Sequence, residues 1–203
     1  MPLSEKVNAN MTLNTKTLTD STAGLKFTES PRWHDNRLWF LDIHDQRIKT
    51  VDLSGSVETV IELPFIPNGF GLTPDGRTLL VGETIGHRLT AFDVADDGSL
   101  SNRRIWSQLP SSIGPDGICL DAEGGVWCAN PEGQDSVVRV VEGGEITDRV
   151  AVDSNAYAVM LGGPERKHLF ICASDSHDPA EIHRSPSASF RVVEVDIPGA
   201  GIP

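Results

Sequence analysis

Apolar and polar positions alternate along this chain in short runs separated by turn-forming residues. Leu38-Trp39-Phe40-Leu41-Asp42-Ile43 follows the turn His34-Asp35-Asn36-Arg37, and Arg47 to Asp52 is divided from Val57 to Leu63 by Leu53-Ser54-Gly55-Ser56. The same order returns with Gly69 to Thr73, Pro74-Asp75-Gly76-Arg77, Thr78 to Gly82, Arg88 to Val94 and Arg103 to Ser107. It returns again with Gly117 to Leu120, Val126 to Ala129, Val137 to Val141 and Ile146 to Val152. A last unit holds Ala156 to Leu161, His168 to Ala173, a polar loop Ser174 to Ser189, and Phe190 to Ile197. Period-two runs bounded by Asp-Gly, Glu-Gly and Gly-Gly turns predict four-stranded antiparallel meanders. No apolar i, i+3, i+4, i+7 pattern persists, so no helix is predicted.

Three units open alike, at Glu29-Ser30-Pro31-Arg32-Trp33, Pro67-Asn68-Gly69 and Pro115-Asp116-Gly117. Glu29, Asn68 and Asp116 are 39 and 48 residues apart. A repeat of that period predicts an all-β fold, the β-propeller, built of four-stranded blades. Equivalent positions of successive blades surround one axis, so the three oxygen-bearing side chains can converge there, where they suit a hard divalent cation. Trp39 and Trp127 hold equivalent places in their units and read as packing between blades. The segment Leu13 to Leu18 alternates well enough for a strand and is expected to pair in the blade holding Phe190 to Ile197, joining the two ends of the ring.

The chain has 203 residues, 38% hydrophobic and 23% charged, which suits a globular domain. Its formal net charge of −12 argues against a basic grip on nucleic acid and against an anionic membrane surface. The first 14 residues are polar and no run of 18 apolar residues occurs, so a cytoplasmic location is expected. Cys119, Cys128 and Cys172 fall in strand-like runs without a Cys-x-x-Cys, and read as small buried hydrophobes.

Each candidate ligand has a plainer reading. Pro-Asp-Gly alone is more readily a β-turn, as Asp75-Gly76 is taken to be; Asn68-Gly69 shares the ambiguity, and Glu29 alone is a solvated acid. The six histidines show no His-x-x-x-His pair. Ser176-His177-Asp178 places three triad residue types next to one another, where they cannot stack into a relay. His177 can still line the mouth of the site as a substrate contact. No nucleophile elbow, phosphate loop or dinucleotide fingerprint is present.

Glu-Ser-Pro-Arg-Trp, Pro-Asn-Gly with Thr-Pro-Asp-Gly-Arg-Thr-Leu, Pro-Asp-Gly-Ile-Cys-Leu-Asp-Ala-Glu-Gly, and Leu161-Gly162-Gly163-Pro164 together resemble the senescence marker protein/regucalcin/gluconolactonase family, in the family's order. The resemblance implies a six-bladed propeller with one divalent metal on its axis that hydrolyses sugar lactones and related esters. It makes Glu29, Asn68 and Asp116 metal ligands and Asp116 also the catalytic base. Two carboxylates and a carboxamide admit calcium, zinc or manganese, and the ligand set does not decide between them. Leu63-Pro64-Phe65 runs directly into Ile66-Pro67-Asn68, so a family stretch that carries a second asparagine and a substrate-contacting arginine has no counterpart. About two blades are missing by that count. The expected organisation is a flexible arm, 1–14, and a single shortened propeller, 15–203. The expected function is metal-dependent lactone hydrolysis with a small sugar lactone as partner. The alternatives are a non-catalytic metal- or ligand-binding propeller, and a calcium-dependent aryl-ester or organophosphate hydrolase.

Overall fold

The alternating runs become strands wherever turn residues bound them. The protein is described by a computed structural model over residues 18–19, 24–34, 36–131, 133, 136–185 and 187–201. Blade 1 is the meander β1 (Thr28–His34), β2 (Arg37–Asp42), β3 (Arg47–Val51) and β4 (Val57–Glu62). Blade 2 is β5 (Pro67–Leu72), β6 (Thr78–Glu83), β7 (Arg88–Val94) and β8 (Leu100–Gln108). Blade 3 is β9 (Ile118–Leu120), β10 (Val126–Ala129), β11 (Val137–Val140) and β12 (Ile146–Val150). Blade 4 is β13 (Asn155–Gly162), β14 (His168–Ser174) and β15 (Ser189–Glu194). Every pairing is antiparallel, and the four sheets form a propeller arrangement.

Three sequence expectations need comment. Cys119 and Cys128 are buried as expected, but Cys172 is exposed, because it lies on the same uncovered strand face of blade 4 as Phe170. The arm 1–14 and the strand Leu13 to Leu18 lie outside the described residues except for Leu18, whose carbonyl sits against the Gly55 turn of blade 1. The polar loop after β14 contains a helix, α1 (Pro179–Arg184). Asp178 caps it, accepting from the N–H groups of Ala180 (2.8 Å) and Glu181 (3.1 Å), and Pro179 occupies its first turn. Asp before Pro is a helix-start signal. Six residues with none buried carry no apolar stripe, so periodicity could not reveal it.

Successive side chains of a strand point to opposite faces, and in blades 2 and 3 both faces are covered by neighbouring blades. Leu79, Val81 and Phe92 of blade 2 pack with Trp39, Leu41 and Ile48 of blade 1. Leu80, Leu89 and Ala91 face the other way, against Ile118, Val126 and Val138 of blade 3. Trp127 and Val137 of blade 3 pack with Val159, Leu169 and Ile171 of blade 4. Both tryptophans therefore sit between blades. Among the described residues the core clusters occupy these three junctions, and the far face of blade 4 is open. It exposes Phe190 (79%), Val192 (57%), Phe170 (40%) and Met160 (38%), the strand face that an unclosed ring leaves bare.

The inner strands share a device. One extra residue interrupts the pairing between Glu29 and Arg32 in β1, between Pro67 and Phe70 in β5, and between Ala156 and Ala158 in β13. Ahead of β9, Ala129 faces both Asp116, whose N–H it accepts (2.9 Å), and Gly117, to whose carbonyl it donates (3.0 Å). Such bulges bend a strand and re-aim its side chains, and they recur beside active sites. Ser30 adopts φ 52° within the first of them. Pro-Asn-Gly thus lies in a bulged strand, whereas Asp75-Gly76 forms the hairpin turn expected of it, with Asp75 accepting from Thr73 Oγ1 at 2.7 Å.

Glycine allows neighbouring inner strands to touch. A Cβ on Gly69 would lie 2.5 Å from the Ile118 nitrogen and 2.6 Å from the Asp116 oxygen, and one on Gly117 would lie 2.7 Å from the Ala158 Cα. Gly69 N–H donates to the Asp116 carbonyl (3.0 Å), and Gly117 N–H to that of Tyr157 (3.0 Å). Replacing either with alanine forces backbone apart and should cost about 1–3 kcal/mol. Urea unfolding of Gly69→Ala and Gly117→Ala is expected to show lowered midpoints, while parental stability would mean the inner strands are not held this closely.

Candidate functional site

One residue from the bulged opening of each blade reaches a common cavity. Glu29, Asn68, Asp116 and Tyr157 line a space of about 960 Å³ on the axis, together with His177, Phe27 and Ile85 at its rim. The three expected ligands and the expected substrate contact are thus brought together. Glu29 lies within β1 and is exposed, while Asn68 and Asp116 are half-buried. Among the described residues no group of three or more His, Cys, Asp or Glu side chains is placed to hold a metal; the candidate set is two carboxylates and a carboxamide.

Electrostatics sets Asp116 apart. Burial, reinforced by the neighbouring charge of Glu29, pushes its carboxyl up to about 7, against the opposing hydrogen bonds from Gly117 N–H and the Asn68 side chain. The described lining residues include no lysine or arginine. Two carboxylates therefore share the cavity without a protein cation, which is the charge deficit a divalent ion would fill. The oxygen-rich donor set fits calcium or manganese and also admits zinc.

A polar residue at or just after the end of the second strand in blades 1, 2 and 3 supports this geometry. Asp42, fully buried, accepts from Phe27 N–H (2.9 Å) and Lys49 Nζ (2.7 Å), fixing the chain two residues before Glu29. Burial alone would raise Asp42, but the hydrogen bonds from Lys49, Phe27 and Lys26 outweigh it and hold the carboxyl below its usual range. Glu83, also buried, takes Arg88 Nε (2.9 Å), Arg88 Nη2 (2.7 Å) and Thr90 Oγ1 (2.6 Å) opposite Pro67, beside Asn68. Asn130 accepts from Gly114 N–H (3.0 Å) and donates to the Ser112 carbonyl (3.2 Å), two residues and more before Asp116. Sequence reading missed these residues, although Asp42 and Glu83 hold matching places in their units.

Tyr157 was also missed. It is the sole tyrosine and stands 41 residues after Asp116, in step with the repeat. Its hydroxyl lies 3.5 Å from His177 Nδ1, with the rings edge to face at 6.2 Å.

Comparison with known proteins agrees with this architecture. A family model described as SMP-30/Gluconolactonase/LRE-like region matches residues 53–175, more than half of the chain, and the chain belongs to that family. The matched span contains Asn68, Asp116 and Tyr157 and begins after Glu29. Human regucalcin is 30% identical over 142 residues, covering 66% of this chain and 47% of its own. Pentonolactonase XacC of Haloferax volcanii is 29% identical over 127 residues, covering 62% of this chain and 44% of its own. The chain thus spans about half the length of these relatives. A solved calcium-binding regucalcin from Agrobacterium tumefaciens superposes with a TM-score of 0.67 at 23% identity, over 87% of this chain and 63% of that one. The likeness to solved structures establishes the fold. No helix among the described residues is long and apolar enough to cross a membrane.

The Asp116 environment gives a signed pH dependence. A carboxyl raised in the folded state favours the protonated fold, so stability is greatest below the unfolded value near 3.8 and is lost as pH rises to about 7. In chelator-treated protein, Asp116→Asn is expected to melt above the parent by a margin that widens from pH 4 to 7 and then levels off. A margin independent of pH would contradict the burial and Glu29 repulsion assigned here.

Proposed function

We propose that this chain is a metal-dependent hydrolase of sugar lactones. The observation that carries the reading is the pair Glu29 and Asp116 in one axial cavity, with Asn68 of β5 beside them and no lysine or arginine among the described lining residues. The lactonase names of the relatives supply the reaction class. Glu29, Asn68 and Asp116 would hold a calcium, zinc or manganese ion. When bound, such an ion supplies polarisation of an ester carbonyl and a more acidic water.

The chain's own groups do the rest. Asp116 lines the same cavity and is the group offered to accept a proton from attacking water, and a bound cation would keep its carboxylate ionised for that role. The Asn68 side chain hydrogen-bonds to it and so fixes the carboxylate's direction. Tyr157 and His177 offer hydroxyl and imidazole groups to the hydroxyls of a sugar lactone. The Asp42 and Asn130 contacts hold the backbone ahead of Glu29 and Asp116, keeping the two carboxylates in register.

One observation favours a second reading, a metal- or ligand-binding propeller without turnover. Asn130, the other carboxamide of the cavity, is engaged at both ends by Gly114 and Ser112. It therefore does not replace the second asparagine of the resemblance, and no arginine among the described lining residues replaces the family's substrate contact.

A lactone-hydrolysis assay with chelation and metal add-back separates the readings. Hydrolysis should vanish on chelation, return with metal, and fall by about 10²–10⁴ in Asp116→Ala, the usual contribution of a general base. Metal binding without turnover would support the second reading. Full activity in Asp116→Ala would remove the assignment.

A further inference from the structure

From the walls of the cavity we infer that its preferred substrate is an uncharged lactone bearing an apolar substituent, in place of the sugar lactone named above; this rests on the metal-dependent lactone hydrolysis of that reading and not on its sugar. Two large apolar side chains face water at the rim, Ile85 at 60% exposure and Phe27 at 50%. Clefts that take small ligands are lined mainly by hydrophobic and aromatic side chains, and these two line this one.

Neither side chain is there through looseness. Ile85 belongs to the turn between β6 and β7, which is tied down on both sides of it. Thr84 Oγ1 donates to the Pro115 carbonyl (2.8 Å), His87 N–H donates to the Thr84 carbonyl (3.2 Å), and His87 Nδ1 meets the Ile113 carbonyl (2.9 Å). Phe27 is fixed through its N–H to Asp42 (2.9 Å) and through its carbonyl, which accepts from Ile43 N–H (2.9 Å). A tethered turn thus presents an isoleucine, and a tethered strand entry a phenylalanine, on the side of blades 1 and 2. Blade 4 presents Tyr157 and His177 to the same cavity.

Charge sharpens the choice. The described lining residues offer two carboxylates and no lysine or arginine, within a chain of net charge −12. With the carboxylates matched by the bound cation, a phosphate, sulfonate or carboxylate arm placed away from the axis would still find no lysine or arginine among the described lining residues and would lose its hydration without a partner. A neutral alkyl or aryl arm would instead cover Ile85 and Phe27.

The test compares δ-decalactone, glucono-δ-lactone and 6-phosphoglucono-δ-lactone on the metal-loaded protein. Binding of the same three compounds to the Asp116→Asn variant is measured by calorimetry, which needs no turnover. Decalactone should show the highest kcat/KM and the phosphorylated lactone the lowest. In Ile85→Ser and in Phe27→Ser the decalactone-to-gluconolactone ratio should fall about tenfold, the effect of exposing roughly two methylene groups. Both positions are exposed, so the parental melting temperature serves as the folding control. Gluconolactone turnover without turnover or binding of decalactone, or ratios unmoved in both variants, would overturn this inference and leave the hydrolase reading intact. Failure of all three lactones to bind or react would overturn both.

Discussion

The approach of neighbouring inner strands at the axis is the constraint on which the rest of this molecule depends. Gly69 lies against the backbone of Asp116 to Ile118, and Gly117 against Tyr157 and Ala158, at separations that leave no room for a Cβ. Blades brought this close bury both faces of blades 2 and 3, which is where most of the apolar driving force resides. The same closeness carries Glu29, Asn68, Asp116 and Tyr157 into one cavity. Each glycine directly follows a candidate ligand, so packing and chemistry are fixed by adjacent residues.

The site is held from behind by buried polar groups. Asp42 and Asn130 each tie down the backbone just upstream of a cavity carboxylate, and Glu83 ties down the strand opposite Pro67. Asp42 and Glu83 are fully buried but paired with Lys49 and Arg88, which offsets the cost of removing their charges from water. Glu29 and Asp116 have no such partner among the cavity's described residues. Within one molecule the structural carboxylates are neutralised by protein cations, and those on the axis are left in deficit. That contrast is the physical basis for placing a cation there.

Much of this was legible in the sequence because strands and turns are local. Period-two alternation and Asp-Gly turns marked the blades, and the 39- and 48-residue spacings marked equivalent positions. The bulges were not legible, because Pro-Asn-Gly and Pro-Asp-Gly also satisfy β-turn preferences and only cross-strand register separates the two. Tyr157 carried the repeat's phase but not its oxygen-ligand pattern, and was passed over. Asp42 and Asn130 act through backbone groups 15 and 16 residues away, a relation that alternation does not encode. The bare face of Phe190 and Val192 matches the sequence's loss of about two blades: the strands are specified, and the surface that would cover them is not in the described chain.

The most direct test of the axial site is a crystal grown with Mn²⁺ and measured for anomalous scattering. A single strong peak is expected among the Glu29, Asn68 and Asp116 oxygens, at about 2.0–2.6 Å, the range of hard-cation ligand distances. It should be absent from crystals of Glu29→Ala. A well-ordered cavity with no peak there, or a peak bound by other residues, would contradict the gathering of these three side chains around a cation.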